Sequence, residues 1–148
     1  MLGNFPNTYT FTKNLAEKAL LKNKGDLTVC LLRPAIIASS LKDPFPGWTD
    51  SLSAAGGISV LVGLGLVNYI RAEGNNKFDI VPVDIVTNHI IIATAYGATK
   101  AKGQMRVYNC GSSHSNPITM RGYKDSMVSK FDKLRFNKQA FPVSLEFI

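Results

Sequence analysis

The sequence is poor in the residues that build cross-links and metal sites. Only two cysteines and two histidines occur in 148 residues. Cys30 and Cys110 are separated by 79 residues with no C-x-x-C spacing, which argues against a disulfide framework and against a zinc-ribbon pattern. A reducing intracellular compartment is the expected setting. His89 sits alone among isoleucines and reads as a packed side chain, so no metal site is expected. The opening MLGNFPNTYTFTKN lacks both the basic-then-apolar order of a signal peptide and the Arg-rich look of a transit peptide. Charge is absent from Ser51 to Ile70, but four glycines, three serines and an asparagine make that stretch too weakly apolar for a membrane span. A buried helix with a glycine-rich approach is expected within residues 51–73.

Acidic residues are scarce as well: ten against seventeen basic ones, for a net charge of +7. The excess is local. Residues 1–99 net +1 and residues 100–148 net +6. The basic last third could attract anions, but a solvated helix face with loops explains it, and no nucleic-acid-binding motif accompanies it. With 45% hydrophobic residues, the length suits one globular domain able to bury a core.

Hydrophobic spacing predicts a helix over 9–24, with Phe11, Leu15, Ala19 and Leu20 on one face, Thr8 able to cap it and Gly25 ending it. Residues 27–33, LTVCLLR, form an unbroken apolar run before Pro34, as expected of a parallel strand covered on both faces. Residues 38–50 read as a proline-stiffened loop holding Phe45 and Trp48, side chains able to line a ligand cleft. A short strand, FDIVPVD, follows. A helix then begins with Asp84 as its N-cap and has Gly97 near its end. Strand 105–110 leads to a turn at GSSHSNPIT, where Thr119 can cap a last helix over 121–134. The tail is extended or irregular and needs something to pack on. Together these elements make an α/β pattern in which a helix and a buried strand follow one another as in a βαβ unit.

The sharpest chemical signal is Tyr9-Thr10-Phe11-Thr12-Lys13 on the first helical turn. Residues four apart share a helical face, and an ammonium beside a phenol favours the phenolate form. Such a tyrosine can protonate a carbonyl oxygen while hydride arrives from a cofactor. The helix precedes a strand ending in Arg33-Pro34, and strand ends are where α/β sheets place ligands.

PNTYTFTKNLAE, LLRPAII, KDPFPGW, GGISVLVGLG, DIVPVDIV and VYNCGSSHSNPIT occur in an order that resembles the fatty acyl-CoA reductases. These are the male-sterility-protein branch of the extended short-chain dehydrogenase/reductases. The resemblance covers nearly the whole chain. It implies a Rossmann-type domain that uses NADPH to reduce a fatty acyl-CoA to a fatty alcohol. By matching position, Tyr9 is the proton donor, Lys13 supports it and binds the cofactor ribose, and Pro34 and Ile37 border the nicotinamide. Phe45 and Trp48 fall on the acyl side.

The resemblance also implies a membrane-associated organelle such as the peroxisome or endoplasmic reticulum. Against the family pattern, Leu64 and Asn68 replace basic residues, and the glycine-rich pyrophosphate turn has no counterpart. The expectation is therefore the C-terminal half of the catalytic domain, lacking the N-terminal dinucleotide-binding βαβ half. Residues 1–37 would carry the catalytic helix and strand, 38–104 the substrate side, and 105–148 the last strand, basic helix and tail. Such a chain alone is expected neither to bind NADPH nor to reduce acyl-CoA, and to need a second chain or the missing half. The alternative is a non-catalytic scaffold subunit of a larger assembly.

Overall fold

The computed structural model describes residues 3–52, 55–134 and 145–147. They form a mixed α/β structure of two compact units. One joins Met1–Leu32 with Ile90–Tyr108; the other joins Arg33–His89 with Asn109–Ile148.

The first unit opens with α1 (Thr8–Asn23). Its N-cap is Asn7 rather than Thr8: the Asn7 side chain accepts the Thr10 N–H at 2.9 Å, satisfying a donor the helix leaves free. Phe5 packs edge-on against Phe11 with ring centroids 5.5 Å apart. Gly25, at φ 53°, takes the left-handed turn that ends the helix, as expected. No residue of α1 is buried, so the predicted apolar face is uncovered, with Leu15 and Leu20 exposed.

Strand β1 (Val29–Pro34) pairs with β6 (Met105–Cys110). Val29 donates to the Gln104 carbonyl and Ala35 to that of Cys110, so the strands run in the same direction. The expectation that both faces of β1 are covered does not hold: its residues are half-buried or exposed. Its partner strand is β6, and α3 (Val83–Lys100) lies against it, Cys30 Sγ donating to the Ala93 carbonyl. Gly97 lies near the end of α3, as expected, three residues before Lys100. A Cβ there would stand 2.7 Å from Cys30 Sγ, so the glycine lets helix and strand approach closely.

The second unit holds both hydrophobic clusters. The helix expected within 51–73 is the nine-residue α2 (Ala55–Gly63), with Ala55, Val62 and Gly63 buried. Gly65, at φ 71°, closes it in a Schellman motif, with Leu66 donating to the Leu61 carbonyl and Gly65 to that of Val62. Helix α4 (Met120–Leu134) begins as predicted, Thr119 Oγ1 accepting the Gly122 N–H at 3.0 Å.

Val62 of α2, Met127 of α4 and Leu145 of the tail form one cluster. Removing Val62 completely from water contributes about 1.5–3 kcal/mol. The adjoining β8 (Glu146–Phe147) pairs in parallel with β3 (Tyr69–Ile70), which gives this part of the tail its packing partner. The rest of the tail lies outside the described residues.

FDIVPVD is two strands rather than one, β4 (Lys77–Phe78) and β5 (Ile80–Pro82). They are split where Asp79 turns its carboxylate onto Ser112 and Ser113. β5 pairs in parallel with β2 (Ile36–Ala38), and β4 pairs antiparallel with β7 (Ile118–Thr119). Val81, Val86 and Cys110 make the second cluster.

Candidate functional site

Tyr9 and Lys13 lie on the first two turns of α1, where the Asn7 cap fixes the start of the helix. The four-residue spacing brings them together: Lys13 Nζ stands over the Tyr9 ring, 5.5 Å from its centroid. Tyr9 is 67% exposed, so its hydroxyl is open to a reactant. Both belong to the first unit.

The remaining candidates belong to the second unit. Pro34 ends β1 and Ile37 lies in β2, both exposed. Ile37 and Trp48 line one cleft of about 520 Å³, together with Val60, Tyr123, Met127 and Phe131. Phe45 is 58% exposed and does not line it.

The loop carrying Trp48 is tied at two points. Ser40 donates its hydroxyl to the Phe45 carbonyl at 2.7 Å and its N–H to the Trp48 carbonyl, while Gly47 donates back to Ser40. Asp84 accepts the backbone N–H groups of Leu41, Lys42 and Asp43 at 2.9–3.3 Å. The Leu41 bond does most to bring its carboxyl from 3.8 down to about 2; burial opposes the shift, and the Lys42, Asp43 and Ile85 bonds reinforce it. Asp84 is therefore a clamp on the loop. It does not cap α3, because the helix starts one residue earlier, at Val83.

Asp79 plays the same part for the loop after β6. The Ser112 backbone bond and the Ser113 hydroxyl hold its carboxyl below the usual carboxylate range. A Cβ at Gly111 would stand 2.7 Å from Asp79 Oδ2. Sequence reasoning missed Ser40, the clamp role of Asp84 and the Asp79 anchor. The one available signal was an isolated carboxylate inside an apolar run, twice within DIVPVD.

The glycine-rich run offers no cradle for a pyrophosphate. A Cβ at Gly57 would overlap the Leu52 carbonyl oxygen, and one at Gly63 would stand 2.5 Å from the Phe131 ring. The space these two glycines free is filled by the chain itself, and among the described residues no strand leads into α2. Among the described residues no group of three or more His, Cys, Asp or Glu could hold a metal ion. No described helix is long and apolar enough to cross a membrane.

An α/β chain with Y-x-x-x-K at the head of a helix, followed by a strand and an apolar cleft, has the makings of a reductase. The chain belongs to the male sterility protein family, that of the fatty acyl-CoA reductases. The family model described as Male sterility protein, an NAD-binding one, matches residues 1–90. Over 133 residues, 90% of this chain, it is 35% identical to fatty acyl-CoA reductase 1 of Xenopus laevis and equally to that of Homo sapiens. Probable fatty acyl-CoA reductase 5 of Arabidopsis thaliana is 38% identical over 132 residues, 89% of the chain. The chain spans 26% of the length of each of these relatives.

Proposed function

We propose that this chain carries the proton-donating tyrosine, its lysine and the acyl-side cleft of an NADPH-dependent reductase that converts long-chain fatty acyl-CoA to fatty alcohol. The observation that supports this reading above others is the Tyr9–Lys13 pair, adjacent and open at the head of α1. Bound nicotinamide would supply hydride to the carbonyl carbon twice, first to the thioester, which then loses CoA as its thiol to give the aldehyde, and then to the aldehyde. This chain contributes the proton: Tyr9 Oη passes it to the carbonyl oxygen as negative charge builds there. The Lys13 ammonium, one turn along, then balances the phenolate left behind. Lys13 also holds the cofactor ribose, Pro34 and Ile37 border the nicotinamide, and Trp48 lines the acyl-side cleft, with Phe45 on the same loop outside it.

In this reading a separate dinucleotide-binding half holds the pyrophosphate, consistent with Gly57 and Gly63 facing the chain's own atoms, and the chain supplies the C-terminal half of a Rossmann-type catalytic domain. Residues 1–37 supply the catalytic helix and strand, 38–104 the substrate side, and 105–148 the last strand and basic helix. Its unpaired cysteines suit a reducing compartment.

The test is to co-express the chain with the dinucleotide-binding half of a relative and to follow palmitoyl-CoA-dependent oxidation of NADPH. The pair should turn over and the chain alone should neither turn over nor quench NADPH fluorescence. Full activity in Tyr9→Phe, or micromolar NADPH binding by the chain alone, would sink the proposal. A native complex that contains this chain but no dinucleotide-binding partner would favour a scaffold subunit.

A further inference from the structure

Along α4 the cleft of the second unit is lined in turn by a phenol, a thioether and a phenyl ring. On α4, Tyr123, Met127 and Phe131 recur every four residues and share one face, so Tyr123 and Phe131 lie about 12 Å apart along the helix axis. At the Tyr123 end, its hydroxyl shares a 2.8 Å hydrogen bond with Ser59 Oγ, which also donates to the Ala55 carbonyl at 2.8 Å. Met127 and then Phe131 line the same cleft about one and two turns further along α4.

The Phe131 ring is where it is because residue 63 has no side chain. A methyl group on Gly63 would stand 2.5 Å from both Cδ1 and Cε1 of that ring, a separation that cannot persist. Gly63 is buried in the last turn of α2, so a methyl group there would have to displace the ring. Phe131 lines the cleft. The depth available to a ligand is thus set by how closely one ring lies against one glycine. The volume, about 520 Å³, falls in the range of small-molecule sites, roughly 300–1,000 Å³.

We infer that Gly63 and Phe131 together set the length of acyl chain the cleft accepts, the hydrocarbon running along α4 toward Phe131 from a polar group held near Ser59 and Tyr123. This rests on the acyl-side reading of the cleft, but its test needs no hydride transfer. Purified 148-residue chain is loaded with cis-parinaric acid, a fluorescent fatty acid, and the probe is displaced by saturated acyl-CoA esters from decanoyl to stearoyl. Phe131→Ala should tighten the longest esters by about fourfold for each methylene newly admitted, leaving decanoyl-CoA unchanged. Gly63→Ala should weaken the longest esters by the same factor for each methylene excluded. Tyr123→Phe should weaken every length alike.

Phe131→Leu keeps an apolar side chain in the cluster and should give an intermediate shift; with Phe131→Ala it decides the matter if Gly63→Ala loses helicity. Length profiles that coincide with the parent's for Phe131→Ala and Phe131→Leu would overturn the inference, as would failure of the parent chain to bind the probe. Turnover by the reconstituted reductase with unshifted profiles would remove this inference alone. Shifted profiles with no turnover would remove the reductase reading alone.

Discussion

The two units differ in what they keep from water. The second owns both hydrophobic clusters, and its loops are tied down by buried or half-buried Asp84 and Asp79. The first owns the Tyr9–Lys13 pair, yet its leading helix buries nothing, and Leu27, Ile91 and Ile92 are each more than 60% exposed. Apolar area contributes to stability only when it is removed from water. The second unit therefore carries its own stabilisation, whereas the first presents the proposed chemistry on a frame with much apolar surface still to cover.

The sharpest way to test that division is to remove one group from each side. In the reconstituted reductase, Tyr9→Phe should lower the rate of acyl-CoA reduction by about 10²- to 10⁴-fold. Its urea midpoint should not move, because the side chain is open. Met127→Ala, in the core of the second unit, should cost about 2–5 kcal/mol in urea unfolding. Leu15→Ala on exposed α1 should stay within about 0.5 kcal/mol. An equal cost at both positions would mean that α1 is covered in solution.

A smaller effect is expected at the one close approach within the first unit. Gly97→Ala would drive a methyl against Cys30 Sγ and should destabilise by about 1–3 kcal/mol, measured by thermal unfolding of the purified chain.

The mildest perturbation is acid. Asp84 and Asp79 titrate lower in the folded chain than in the unfolded one, so the stability they confer is complete above about pH 4. For Asp84 it is lost as pH falls through about 2. Trp48, the only tryptophan, reports on the loop Asp84 holds. Its emission should change between those limits, and Asp84→Asn should already show part of that change at neutral pH with a flatter acid response.

Much of this was legible beforehand. The extents of α1 and α4 to within a residue, strand β6 and the Tyr9–Lys13 juxtaposition follow from local rules of spacing and capping, although Asn7 rather than Thr8 caps α1. What was not legible depended on partners distant in sequence. Asp84 sits where an N-cap belongs, but its acceptors are taken up by residues 41–43, which no local pattern reveals. Gly97 shows near a helix end in the sequence, but its close approach to Cys30 does not. LTVCLLR has the composition of a strand covered on both faces, and composition does not say how many neighbours are present. The cleft was half-visible: Trp48 was singled out, whereas Ser59, Tyr123 and Phe131 meet only through the packing of α2 on α4.

The two thiols fall one in each unit. Cys30 is half-buried and bonded to the Ala93 carbonyl at 3.2 Å, while Cys110 is 6% exposed, its thiol pushed up by burial and by the charge of Asp79. Neither reacts readily while its surroundings stay closed. The chain thus comes with a built-in pair of clocks: timed alkylation followed by peptide mass mapping would record how often each unit opens, without adding a dye or changing a residue.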